Sequence, residues 1–329
     1  MSHWVIAPIL LPLFAGLVLL LGARWRPALA RGVSLAATAA LLPLALLLLD
    51  LADDGGYHVY ALGDWPAPFG IVLVLDRLAA LMLALTAALA LPALLYASRG
   101  SDLRGTNFHA LFQLQLLGLN GAFLTGDLFN LFVFFEILLI ASYALLLHGQ
   151  GPARARAGLH YVVLNLIGSS LFLFAVGTLY GVTGTLNMAD LAARVARTGA
   201  AEVPLLRAGA LLLLVVFALK AALLPLYFWL PRAYAAAPAP VAALFAIMTK
   251  VGVYSILRVY TLIFGAEAGP LADVALPWLW PLALATLALG AIGALAAPDL
   301  RALIAYLVVV SVGTLLAAFA FGTPETLAA

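Results

Sequence analysis

The sequence contains no cysteine and only five histidines, and Asp, Glu, Lys and Arg together make up 9% of its 329 residues. Without thiols there are no disulfides, thiolate metal centres or cysteine nucleophiles. The histidines are scattered, no metal-binding cluster of them is in view, and a single acid stands inside the apolar runs, so an intramembrane enzyme has no catalytic constellation to work with. The net charge of +2 is small, and the Lys and Arg residues are dispersed rather than clustered, which leaves nucleic acid without an electrostatic footprint. No residue pattern asks for a cofactor or a metal.

What the chain has in abundance is apolar surface. Hydrophobic residues account for 66% of it and the mean hydropathy is +1.16, more than one soluble core of this length can hide. Lipid is the solvent that this composition fits. About 20 apolar residues cross roughly 30 Å of hydrocarbon, and inside lipid each backbone N–H and C=O must pair within its own segment, which makes such runs helices. The expected fold is all-α, a polytopic membrane bundle of about ten spans. They fall at 3–22, 32–51, 71–97, 107–126, 128–148, 159–182, 206–230, 240–265, 277–297 and 300–321. His3 to Leu21 is read as a retained span, since it has neither a basic stretch before it nor a small-residue cleavage site after it. No loop is long enough for a separate domain, so residues 1–329 are expected to form one transmembrane domain.

The loops differ in charge. Arg24, Arg26, Arg31, Arg99, Arg104, Arg154, Arg156, Arg232 and Arg301 fall on one side, whereas Arg194, Arg197 and Arg207, with Arg77 at its edge, fall on the other. The positive-inside rule makes the first side cytoplasmic and puts the N-terminus outside. The acidic 50–64 loop and a surface helix at 187–203 are then outside as well.

Three ionisable side chains remain deep within the spans: Glu136, Lys220 and Lys250. At 1.5 Å per residue, Glu136 lies about 14 Å beyond Asp127, Lys250 about 15 Å beyond Pro240 and Lys220 about 20 Å beyond Arg207, all near mid-bilayer. A charge there costs at least about 2.5–3.5 kcal/mol unless it is paired or hydrated, so such residues usually line an ion or proton path. A structural ion pair between Glu136 and Lys220 is the plainer alternative, and it leaves Lys250 unexplained. A buried amine whose proton affinity falls on burial can give up and regain a proton.

Polar neighbours fit a hydrated interior. Tyr254 and Arg258 follow Lys250 at i+4 and i+8, Asn165 and Ser169 form an i, i+4 pair, and Gln113 and Asn120 are seven apart. Each alone is equally well explained by interhelical hydrogen bonding, and Arg258 by snorkelling. His160 is placed at a helix start, where an interfacial His more often has no special role than acts as a relay. In LKAALLPLYFWLP, Pro225 lacks an N–H and clashes with the carbonyl of residue 221, next to Lys220, so the seventh span is expected to break there. Broken helices at membrane depth line cavities and ion sites, though prolines such as Pro92 also make benign kinks.

The stretches GDLFNLFVFFEILLIASYALL around Glu136, LNLIGSSLFLFAVGTLYGVTGTLNMADLA at 164–192 and LKAALLPLYFWLPRAYAAAPAPVAALFAIMTKVGVYSILR at 219–258 resemble the D subunit of the Mrp-type multisubunit sodium/proton antiporter. That family is grouped with the antiporter-like proton-pumping subunits of respiratory complex I. The resemblance implies that Glu136, Lys220 and Lys250 form a proton relay, in which the Glu–Lys pair tunes the lysine and protons pass laterally. It also implies an inverted-repeat fold, with three leading helices at 1–100, a first five-helix repeat at 101–265 and an incomplete second repeat at 266–329. Relatives continue for about four helices past the tenth span, so the exit residue cannot be assigned. Implied partners are A, B, C, E, F and G type subunits, protons and monovalent cations in a bacterial cytoplasmic membrane. Arg232 and Tyr234 stand where complex I relatives commonly have an acid and a His, which favours the antiporter branch. PDLRALIAY at 298–306 matches the family's start of the tenth span, and LVVVSVGT after it matches more loosely. Outside this reading stand a proton-pumping subunit of a redox complex, an anion conductor and a non-transporting scaffold.

Overall fold

The computed structural model describes residues 3–23 and 26–322. Arg24, counted above in the loop charge pattern, and residues 323–329 lie outside the described residues. Twelve α-helices are described: α1 Ala7–Val18, α2 Pro27–Leu51, α3 Arg77–Ala97, α4 Phe108–Leu124, α5 Leu128–Leu146, α6 Pro152–Thr183, α7 Met188–Val195, α8 Val203–Ala221, α9 Trp229–Ala236, α10 Ala239–Leu262, α11 Leu276–Leu295 and α12 Leu300–Ala320. Two short strands, β1 His58–Ala61 and β2 Val72–Leu75, pair antiparallel.

Eight of the described helical segments are long and apolar enough to cross a membrane, and Ala7–Gly22 is a shorter apolar helix. α4 covers the expected fourth span in 17 residues. Three expectations are corrected. Residues 72–75 of the third expected span form β2, because Val and Leu alternating there suit a strand, and Asp76 then caps α3 by accepting from the Ala79 N–H. α6 begins at Pro152, well before 159, since proline suits a first helical turn; His160 therefore sits in the third turn rather than at the start. The expected outer surface helix is confined to Met188–Val195, with Asn187 as its cap.

The contacts divide the chain into two compact units, Met1–Gly158 with Ala237–Ile247, and Leu159–Ala236 with Met248–Ala329. In the first unit α4 is almost wholly buried against α1 and α5. Gly118 and Gly121 permit that approach: a β-carbon on Gly118 would lie 2.7 Å from the Leu138 backbone nitrogen, and one on Gly121 would lie 2.2 Å from the Phe134 ring. Gln113 donates to Ser34 and Thr38 of α2, and Asn120 donates to the Pro8 carbonyl. These two side chains act as helix-to-helix ties. At one end of this unit Asp102 accepts two bonds from Arg31, at 2.7 and 2.9 Å, and lies 3.0 Å from His109 Nε2. Burial alone would raise the Asp102 carboxyl, but Arg31 and His109 hold it below the ordinary carboxylate range. At the other end the β1–β2 hairpin is joined to the start of α5, where the Gly126 N–H donates to the Val72 carbonyl at 2.9 Å.

In the second unit α12 packs on α9 and α11. Gly290 and Gly313 bring α11 and α12 into backbone contact, and Gly293 makes room for the Tyr306 ring. α8 meets α6 through Gly168, whose β-carbon would strike Leu219, and through the edge-to-face rings of Phe172 and Phe217.

Candidate functional site

The site grows from the place where α8 stops. Its last residue is Ala221, and Ala222 takes a left-handed conformation with φ of 62°. The Leu223 N–H then donates to the Ala218 carbonyl at 2.8 Å, a 6→1 closure of the helix end. Residues 223–228 run without helix until α9 begins at Trp229. The break expected beside Pro225 is therefore present, and the helix ends four residues ahead of the proline. Its freed backbone groups find side-chain partners: the Leu224 N–H donates to Thr286 Oγ1 at 2.9 Å, and Trp229 Nε1 donates to the Leu219 carbonyl at 3.1 Å.

Lys220 stands in the last turn of α8 and is 5% exposed. Carbonyl dipoles converge on that end of the helix and favour its ammonium by about 0.3–1 kcal/mol. Its Nζ is 3.4 Å from both the backbone oxygen and the Oδ1 of Asn165 and 3.3 Å from Ser169 Oγ, all on α6. The structure thus brings together three of the residues singled out in the sequence, Asn165, Ser169 and Lys220.

Lys250 lies on α10, partly buried, and its ammonium donates to Ser311 Oγ of α12. The Ser311 hydroxyl donates in turn to the Val308 carbonyl at 2.7 Å. Next along the stripe, Arg258 donates to the Tyr254 hydroxyl at 2.7 and 3.2 Å and covers the Tyr254 ring. α10 touches the broken end of α8 at Gly252, whose β-carbon would lie 2.5 Å from the Ala221 nitrogen. The two lysines thus come from helices in backbone contact and send their side chains to different neighbours, α6 and α12.

Glu136 is half-buried on α5 and belongs to the first unit, while Lys220 and Lys250 belong to the second. Tyr143, two turns further along α5, interacts electrostatically with it. His160 is exposed and lines a cleft of about 250 Å³ with Tyr227, Phe228, Trp229, Arg232 and Tyr306. Trp229, at the edge of that cleft, stacks on Tyr161, their ring centroids 5.2 Å apart. Sequence reasoning missed Ser311, Thr286 and Trp229. Single hydroxyls or an indole N–H in apolar spans carry no periodic signal, and the fold decides which carbonyls or amines they meet.

Apolar helices, one of them interrupted beside a buried lysine, define a polytopic helical membrane protein of the kind that holds ionisable groups at helix breaks. The chain belongs to the NADH:quinone oxidoreductase/Mrp antiporter transmembrane family, whose model matches residues 125–329. It is 50% identical over 333 residues to a Rhizobium meliloti protein named as the D subunit of a probable K(+)/H(+) antiporter, covering 100% of this chain and 62% of that one. It is 41% identical over 330 residues to the D subunit of the Bacillus subtilis Na(+)/H(+) antiporter, covering 99% of this chain and 66% of the relative. Among solved structures, a chain of the Mrp complex from Dietzia sp. DQ12-45-1b superposes with a TM-score of 0.88 at 31% identity, over 99% of this chain and 60% of that one. The chain spans about three fifths to two thirds of the length of these relatives.

Proposed function

We propose that this chain serves as a D-type membrane subunit of a multisubunit cation/proton antiporter and passes protons through Glu136, Lys220 and Lys250, coupled to exchange of a monovalent cation such as sodium. It works in a bacterial cytoplasmic membrane, N-terminus outside, beside A, B, C, E, F and G type subunits. The observation that carries this reading is Lys220, nine-tenths buried at an interrupted helix end and hydrogen-bonded to an amide and a hydroxyl. A lysine so placed is costly to keep for structure alone and well suited to exchanging its proton. In the relay the charge of Glu136 strengthens the hold of Lys220 on its proton, and withdrawal of that support releases the proton toward Lys250. Asn165 and Ser169 support Lys220, Tyr254 holds Arg258 further along the stripe of Lys250, and Pro225 maintains the interruption. His160 and Arg258 stand at the margins of the path.

Cation-dependent proton exchange in vesicles carrying the whole complex tests this. Glu136→Ala and Lys220→Ala should each abolish exchange while the subunit still inserts and assembles; exchange retained in either variant refutes the relay. If the chain were only a scaffold, neutralising all three charges would disrupt assembly before activity. A proton-pumping role in a redox complex is a second reading, favoured by the family's shared description with NADH:quinone oxidoreductase. Flavin and iron–sulfur proteins co-purifying with the subunit would select it.

A further inference from the structure

Lys250 has a partner that suits both of its charge states. The ammonium donates to Ser311 Oγ, and the Ser311 hydroxyl donates to the Val308 carbonyl of its own helix. A serine hydroxyl offers one donor and two lone pairs. When Lys250 is charged, Oγ accepts from it and the hydroxyl proton rests on Val308. When Lys250 is neutral, its nitrogen lone pair can accept that same hydroxyl proton, by rotation about the Cβ–Oγ bond, and no bond between heavy atoms breaks or forms. A carboxylate in this position would accept only, and would hold the amine as ammonium.

We infer that Ser311 is a positioning residue for Lys250: it holds the amine on the α12 side of the site and remains hydrogen-bonded to it with and without the proton. This rests on the proposed relay. The surroundings of Lys250 favour the inference. On α10 the next charge is Arg258, two turns away and held by Tyr254. On α8 Lys220 turns to Asn165 and Ser169 of α6. On α12 Arg301 is ten residues from Ser311, about 15 Å along the helix, and α11 carries no ionisable residue. The hydroxyl is thus the polar group that the structure sets against the amine.

The test is the pH profile of cation-dependent proton exchange in vesicles carrying the full complex, with subunit content measured in each preparation. Ser311→Thr keeps the hydroxyl and should keep the native profile. Ser311→Ala loses a bond that is stronger to the ammonium than to the neutral amine, so the amine should hold its proton less well: the profile moves toward lower pH by up to about one unit, and exchange on its alkaline limb falls by up to about tenfold. Ser311→Asp should pin the ammonium and move the profile the other way. An Ala profile that coincides with the Thr profile overturns the inference. Should Ala reduce subunit content, a native profile in Asp overturns it, and an alkaline shift in Asp sustains it. Exchange surviving in Lys220→Ala or Lys250→Ala instead defeats the relay itself, whereas loss of exchange in those variants with an unshifted Ser311→Ala defeats the role of Ser311 alone.

Discussion

Gly252 on α10 and Ala221 at the end of α8 touch backbone to backbone, with room for no side chain between them. That contact fixes the helix carrying Lys250 against the turn that carries Lys220. Gly252→Val would have to push the two helices apart, at a cost of about 1–3 kcal/mol for overpacking. The expected outcome is a lower melting temperature in detergent and exchange reduced by at least tenfold. A valine variant that melts and transports like the parent would show that the crossing is slack.

The amide and hydroxyl that meet Lys220 should matter individually less than together. Asn165→Ala with Ser169→Ala removes two side-chain acceptors, each at the long end of hydrogen-bonding distance, and leaves the Asn165 carbonyl in place. Bonds to charged groups are worth about 1.5–3 kcal/mol at normal length, so the double variant is expected to lower exchange about tenfold near neutral pH, and either single change less. Rates measured across a pH series check this; an unchanged double variant excludes these side chains from the support of Lys220.

Thr286 is the acceptor for the Leu224 N–H in the interrupted segment. Thr286→Val preserves shape and strands that N–H, for a loss of about 1–3 kcal/mol, while Thr286→Ser keeps the acceptor. Thermal unfolding of the purified subunit should rank the parent and Ser together and Val below them. Equal melting of Ser and Val would mean that the break needs no such partner.

Asp102 gives a pH dependence of stability. Its carboxyl is held below the ordinary value in the folded chain, so it contributes stability that is fully present above the unfolded value of about 3.9 and is lost as pH falls through the folded value. Asp102→Asn should therefore destabilise at neutral pH and flatten the acid limb. Its cost should sit at or below the low end of the ~3–5 kcal/mol expected on breaking a buried pair, because Arg31 keeps 30% of its side chain exposed and can turn to water. Melting temperatures taken from pH 7 down to pH 3 decide it: parallel curves for parent and variant would contradict the assignment.

Much of the architecture was legible because apolar run length and the requirement to pair backbone groups in lipid both act locally. α2, α5, α10, α11 and α12 fall close to their expected spans, and the arrest of α8 beside Lys220 follows from one proline. The strand at 72–75 was not legible, since Val and Leu suit a membrane helix equally well and the pairing that decides the matter comes from His58–Ala61, across a turn. The partners of Gln113 and Asn120 were hidden for a similar reason: an amide on a helix face announces that it will bond, not to which helix. Asn165 and Ser169 stood out as a pair, but their meeting with Lys220 crosses 55 and 51 residues of chain and that of Lys250 with Ser311 crosses 61, and neither leaves a trace in spacing.

The hairpin of β1 and β2 has a mechanical consequence. Because Val72 and Leu73 are bonded to Gly126 and Thr125, immediately ahead of the Asp127 cap, the ribbon is tied to the start of the helix bearing Glu136. A tug on residues 62–71 would pass through these bonds to the start of α5, about 14 Å along the helix from the acid. A spectroscopic label in that loop is thus a remote gauge of how the start of α5 shifts.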